Sequence, residues 1–375
     1  MTVKSGAEIR TVAGNRIITQ NGNLIVDGGL VDCDGHEMLH ANSVAATTTV
    51  RNGGRLYLQN VRIGGNGATN DASRSVFNIE TGGVVRLKGS LYIHGNQPTF
   101  AATVNFNGGA IEWAKPVVSG EGHQFDNCPF GSDNTATMNN VAYKVLKGGM
   151  NITNDLQMWF YPHITSGVAE GETDGGLTKW GSHTFALMRT GHTFNGPLTV
   201  MQGTVSLGID NPLPETLTVR VASRFAMNTK RQTFARIEGS GRFTEVVNGG
   251  VNLLTVTSAI APGMGADSLG TLSIQGGAIN IADNVALEID VDAAGNSDSL
   301  SYPAEIDLSK MTLQVNDLTK LNNANSYTIA TLPGGIANGA LFKSTNLPAV
   351  WDVRYHEESH ELKIVPVKGT RIILR

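Results

Sequence analysis

Asp32, Asp34 and His36 occupy alternate positions of the stretch VDCDGHEMLH, with Glu37 and His40 close behind. Alternate side chains of an extended strand point the same way, so these three would converge on one side. Two carboxylates and an imidazole on one face could bind a divalent metal or activate a water. The plainer reading is an exposed corner, where Asp and Gly are expected anyway, and no second cluster at matching spacing strengthens the catalytic one. A second group, His123, Asp126 and Cys128 in GHQFDNCPF, offers a Cys–His pair. Pro129 and its turn-like surroundings favour a loop there. The densest aromatic run is MWFYPH. Alternation sets Trp159 and Tyr161 on one face and Phe160 on the other, with Pro162 ending the strand and His163 beyond it. Facing outward, the two aromatic rings could stack on the apolar faces of sugars. Facing inward, they would fill the core or plug a junction, and that is the favoured reading.

The composition narrows the classes of function. Glycine reaches 45 of 375 residues and charged residues only 16%, while an apolar fraction of 40% is ample for a core. A net charge of -4 without a basic stretch argues against nucleic acid and anionic membrane surfaces. No apolar run is long enough for a membrane span. The N-terminal MTVKSGAEIR lacks the apolar centre of an export signal, so the chain is either cytosolic or already trimmed of one. Cys33 and Cys128 match no zinc or redox spacing, and whether they pair is left open. No phosphate-binding loop or dinucleotide fingerprint is present, and no cofactor is indicated.

The elements that must position any such site repeat. Glycine pairs fall at Gly28-Gly29, Gly53-Gly54, Gly82-Gly83 and Gly108-Gly109, roughly 25–30 residues apart, as a repeat architecture requires. Around them VRNGGRLYLQNVRIGG, FNIETGGVVRLKGSLYIHG and VNFNGGAIEWAKPVVSG share one plan: an alternating strand, a Gly-Gly turn, another alternating strand and a polar corner. Apolar residues recur at period 2, which excludes helical repeats. The interval is too short for a propeller blade and suits one coil of a parallel β-solenoid. Leu56, Leu58 and Val61 should then face a common core. So should Leu177, Phe185, Leu187, Phe194, Leu198, Val200, Val205 and Leu207 of the stretch GGLTKWGSHTFALMRTGHTFNGPLTVMQGTVSLG. Glycine is expected at corners that need positive φ. A sandwich with Gly-rich hairpins is the rival fold.

That last stretch resembles the autotransporter-associated β-strand repeat of bacterial passenger domains. The likeness rests on Gly176, Leu177, Lys179, Gly181, Thr193, Gly196, Thr199, Val200, Gly203, Thr204 and Leu207. It continues through IAPGMGADSLGTLSIQGGAINIADNVALEIDVDAAGNSDSL, to about Leu300. The resemblance implies a secreted, right-handed parallel β-helix displayed at a bacterial surface, a scaffold without catalytic residues. No segment resembles the membrane barrel that carries such passengers outward. The expected protein is all-β, a single elongated β-helix with N-terminal coils over 1–160, passenger-like coils over 161–350 and a capping hairpin over 351–375. In that hairpin Glu357, Glu358 and His360 read as a solvated turn.

The expected function is non-catalytic: a monomeric structural or adhesive module, extracellular or on the bacterial surface, contacting glycans or host and envelope proteins. Trp159, Tyr161 and His163 are its candidate contact residues. A polysaccharide lyase or hydrolase using Asp32, Asp34 and His36 is the alternative, and a phage fibre the second alternative.

Overall fold

The computed structural model describes residues 1–11, 17–19, 22–40, 46–63, 75–88, 91–93, 102–113, 141–265 and 268–367. They fold as two compact units, Met1–Pro214 and Glu215–Arg375. Among the described residues, helical structure is confined to short 3-10 turns at Leu308–Lys310, Leu318–Lys320 and Ala337–Gly339.

In the first unit each strand pairs with its equivalent one coil on. Asn23–Asp27 lies parallel to Thr47–Arg51, followed in order by Val76–Glu80, Ala102–Asn107, Val141–Val145 and Ile164–Ser166. A second sheet stacks Leu30–His40, Arg55–Ile63, Val84–Leu87, Ala110–Trp113, Met150–Asn154, Leu177–Trp180 and Leu198–Val200 in parallel register. A third stacks Met158–Phe160, Thr184–Leu187 and Thr204–Leu207. Gly175–Gly208 is therefore two coils, not a set of hairpins. This is the all-β, parallel β-solenoid architecture that the period predicts.

Stacking turns the alternation of each strand into columns. Val26, Val50, Ile79, Phe106 and Val145 form one inward column, all fully buried. Every inward position named from the sequence, from Leu56 to Leu207, is likewise closed to solvent. Removing such a side chain from water is worth about 1.5–3 kcal/mol. The columns are thus the main source of stability.

The corners show what a glycine pair is for. The first member bends the chain: Gly53 has φ of 82° and Gly82 of 75°. The second makes room. A Cβ on Gly54 would be driven into the carbonyl oxygen of Val26, and one on Gly83 into that of Val50. Corner lies directly on corner, with the Gly53 amide donating to Gly82 O at 3.1 Å and the Asn52 amide to Thr81 O at 2.9 Å. Asn52 and Gly53 both have positive φ, the signature of a tight hairpin turn. Yet the flanking strands join different sheets, because each finds a partner in the neighbouring coil.

The second unit repeats the principle. Val219, Ile237, Ile260, Leu287 and Leu313 form an inward column across parallel strands. On the outer face of the same strands Arg236 holds Glu288 through two hydrogen bonds of 2.8 Å and Glu238 through one of 2.6 Å. Parallel stacking ends at Trp351–His356 and Glu361–Pro366, an antiparallel hairpin whose second strand adds antiparallel to Tyr327–Thr331. Its Val353, Leu362 and Ile364 are buried, and Glu357, Glu358 and His360 lie exposed in the turn.

Candidate ligand-contact site

Met158 and Phe160 point into the core and are fully buried, which leaves Trp159 half-buried on the outer side of the strand and Tyr161 half-buried just past its end. The core-packing reading of these two aromatics therefore gives way to the outward one. Phe160 instead packs edge-on against Tyr143, with ring centroids 5.9 Å apart, and against Phe185 at 5.6 Å. Register places Ala186 and then Ser206 beside Trp159 in the next two coils, so no bulky side chain shares its column there. The strand ends at Phe160, Pro162 is buried two residues beyond it, and His163 follows, half-buried.

The next coil brings three further residues to His163. Gly191 lies against its ring, where a Cβ would sit 3.2 Å from Cε1. The ring of His192 lies 6.4 Å from that of His163, and Phe194 packs on its other side, also at 6.4 Å. His192 is only 4% exposed. Its Nδ1 accepts the Ile164 amide at 3.0 Å, which fixes a neutral ring with the proton on Nε2. That Nε2 has no hydrogen-bond partner. Burial pushes the pKa of His192 down to about 3, with His163 and Arg189 adding to the shift. His163 is lowered by burial first and then by Arg189, against a raising contribution from Gly191.

Both histidines thus sit in the positive field of Arg189. Arg189 and His192 carry no motif, and the sequence reading passed over them. One signal could have exposed them: PHIT and GHTF lie about one coil apart, so stacking brings the two histidines together.

The acidic candidates fare differently. Cys33 pairs with Leu58 and Glu37 with Asn60, so Asp34, Gly35 and His36 bulge opposite Gln59 alone. Cys33 and Met38 are both fully buried although an odd number of positions separates them. The bulge shifts the alternation between Cys33 and Met38. Asp32 stands in an outer column between Arg10 and Tyr57. The Asp34 side chain and all of His123, Asp126 and Cys128 lie outside the described residues. Among the described residues no group of three or more His, Cys, Asp or Glu side chains could hold a metal ion.

Compared with known proteins, the chain matches no family model, no curated protein and no solved structure. Function must be argued from the site.

One more buried ionisable group lies nearby in the chain. Lys179 takes an inward position between Ile152 and Val200 and is fully buried. Its ammonium donates to the carbonyls of Gly181 at 2.8 Å, Gln202 at 3.3 Å and Trp180. Burial lowers its pKa to about 8. All three donors of the ammonium are engaged, so Lys179 fastens a corner and presents nothing to a ligand. In the second unit an open concavity of about 630 Å³ is lined in part by Leu341, Tyr355, Glu357 and His360. There the Tyr355 hydroxyl donates to Leu332 O at 3.1 Å, and His360 Nδ1 lies 3.3 Å from the Tyr355 hydroxyl.

Proposed function

We propose that this chain is a non-catalytic binding module of a bacterial surface or secreted protein, a stiff stack of coils whose outer face holds glycans. The observation that carries this reading is the outward placement of Trp159, with Tyr161 just past it, on a strand whose alternate residues anchor the core. Stacking of a sugar on an aromatic ring needs a ring held still and partly desolvated, and a strand locked by Met158 and Phe160 supplies both. The likeness of Gly175–Leu300 to passenger repeats supports a location outside the cell. The stacked columns within each unit support a scaffold role, since a repeated outer face suits weak contacts made many times over.

A glycan array read together with a polysaccharide-degradation screen tests this, using the intact chain, Trp159→Ala and Asp34→Ala. Binding without turnover that weakens in Trp159→Ala is the expected result. Product formation that disappears in Asp34→Ala would replace the binding module by a polysaccharide-active enzyme. Binding that persists undiminished in Trp159→Ala would move the site elsewhere on the coils.

A further inference from the structure

We propose that the hairpin over 247–252 carries a site of spontaneous covalent modification. There Asn248 loses its side-chain amide through attack by the backbone nitrogen of Gly249 and becomes a mixture of aspartate and isoaspartate. The site lies in the second unit and owes nothing to the glycan reading above.

Asparagine followed by glycine suits this reaction, because glycine has no Cβ to crowd the approach of its nitrogen to the preceding side chain. Gly249 N bonds to Asn248 Cγ and gives up its proton to solvent. The Cγ–Nδ2 bond breaks, and the nitrogen takes up a proton and departs as ammonia. Water then opens the resulting five-membered succinimide at either carbonyl. One opening gives aspartate, and the other gives isoaspartate, in which the chain runs on through the former side chain. In sum one water enters and one ammonia leaves, with nothing oxidised or reduced. The reaction needs an asparagine side chain free to turn onto the backbone and a glycine amide that no acceptor holds.

Seven asparagines precede a glycine, and of these Asn21 and Asn66 lie outside the described residues. Four of the other five are locked. Asn52 Nδ2 donates to Asp27 Oδ1 at 2.7 Å, and the Gly53 amide donates to Gly82 O at 3.1 Å. Asn107 Oδ1 accepts the Gly148 amide at 2.8 Å, and the Gly108 amide donates to Gly149 O at 2.8 Å. Asn195 Nδ2 donates to Glu172 O at 2.8 Å, and the Gly196 amide donates to Asp174 Oδ1 at 2.9 Å. After Asn338 the Gly339 amide donates to Ile336 O at 3.3 Å. Only at Asn248 are both locks missing: neither its side chain nor the Gly249 amide has a hydrogen-bond partner among the described residues. Asn248, Gly249 and Gly250 are all exposed, and a Cβ on either glycine would meet nothing within 4 Å. The hairpin itself is slight. Val247 faces Asn252 and Asn248 faces Val251 across a two-residue turn, with φ of 57° at Gly249 and 83° at Gly250. Two residue pairs resist local opening only weakly. The opening stays local, because Val246 and Leu253 are buried at its base and the Leu253 amide donates to Val246 O at 2.7 Å.

The test incubates the intact chain in mildly alkaline buffer, once folded and once in denaturant, and follows each Asn–Gly pair by peptide mapping and mass spectrometry. Conversion adds about 1 Da and a negative charge. In the folded chain Asn248 should convert at least about tenfold faster than Asn52, Asn107, Asn195 and Asn338. In denaturant the five rates should draw level, because the locks are gone. The product should contain isoaspartate, read by enzymatic methyl transfer. Gly249→Ala, checked for an unchanged melting temperature, should slow conversion at Asn248 and leave the other four pairs as they were. Similar rates at all five pairs of the folded chain would overturn the selection by structure. Aspartate without isoaspartate, or a rate unaltered in Gly249→Ala, would overturn attack by the Gly249 amide in favour of direct hydrolysis.

Discussion

The coils up to Trp113 and those from Met150 to Gly208 share one backbone plan and the same glycine close approach, as at Gly176 and Gly196 in the second set, but the second adds buried side-chain anchors to its corners. In the first set the corner is emptied. Gly54 and Gly83 bring turn onto turn so closely that no Cβ fits, and the inward columns are almost wholly apolar. In the second the corner is filled with buried polar side chains. The Asp174 carboxylate accepts the amides of Gly176, Asn195 and Gly196, each at 2.9 Å, while Asn195 Oδ1 accepts the Asp174 amide at 2.8 Å. Lys179 gathers three carbonyls in the same coils. A solenoid corner leaves backbone groups that neither sheet can pair, and they must be satisfied by the next corner or by a side chain. The candidate site belongs to the second kind. There His192 takes the Ile164 amide that strand pairing no longer reaches, and so brings a histidine beneath the surface.

The sharpest way to break the comparison is Gly83→Val. Its Cβ meets backbone that cannot step aside, so a loss of at least about 3 kcal/mol is expected in denaturant unfolding. Gly53→Ala is the control, because its corner is open and only the positive φ is penalised, at about 1 kcal/mol. Equal costs for the two would mean that turn geometry, not close approach, explains the pairs.

Lys179→Met examines the filled corners. It keeps the aliphatic volume and strands buried carbonyls, for an expected loss of about 1–3 kcal/mol in the same assay. No loss would show that water reaches those carbonyls as well as the ammonium does.

The third prediction concerns acid. His192 has a folded pKa near 3, below its ordinary value of about 6.5, so at neutral pH the ring is uncharged in both states and carries no penalty. As pH falls from about 6.5 toward 3, the unfolded chain takes up the proton and the folded one does not, so stability declines. Melting temperatures measured between pH 7 and 4 should drop more steeply in the native chain than in His192→Phe. Parallel slopes would mean that His192 is not held neutral.

The smallest effect is expected at the outer face, where Arg86 lies 4.3 Å over the Tyr57 ring and pairs with Glu112 at 2.9 Å. Arg86→Gln should cost no more than about 1 kcal/mol, since both charges stay partly in water. A larger loss would give the outer columns a share of the stability assigned here to the core.

Much of this was legible from residue order. The glycine pairs gave the coil, the alternation of Leu177, Phe185 and Leu187 gave the inward set, and the closing hairpin was plain in WDVRYHEESHELKIVPV. Other features left no trace. The bulge at Asp34–His36 appears only when the strand is laid against Gln59, and it shifts the alternation between Cys33 and Met38. Lys179 reads as a surface residue until its coil places it between Ile152 and Val200. The second glycine of each pair looks like added flexibility, and its purpose emerges only from the carbonyl of the coil beneath.

By itself the sequence determined the repeat, the class of strand and the residues that alternate, because period and turn chemistry are local properties of a chain. Alternation is symmetric, however: Trp159 with Tyr161, or Met158 with Phe160, could have been the buried pair with equal regularity. Only stacking against Phe185 and Leu187 decided which side was core, and only the same stacking brought Arg189 and His192 to His163. Which residues meet across coils depends on register between segments distant in the chain, and that is a property of the folded stack alone.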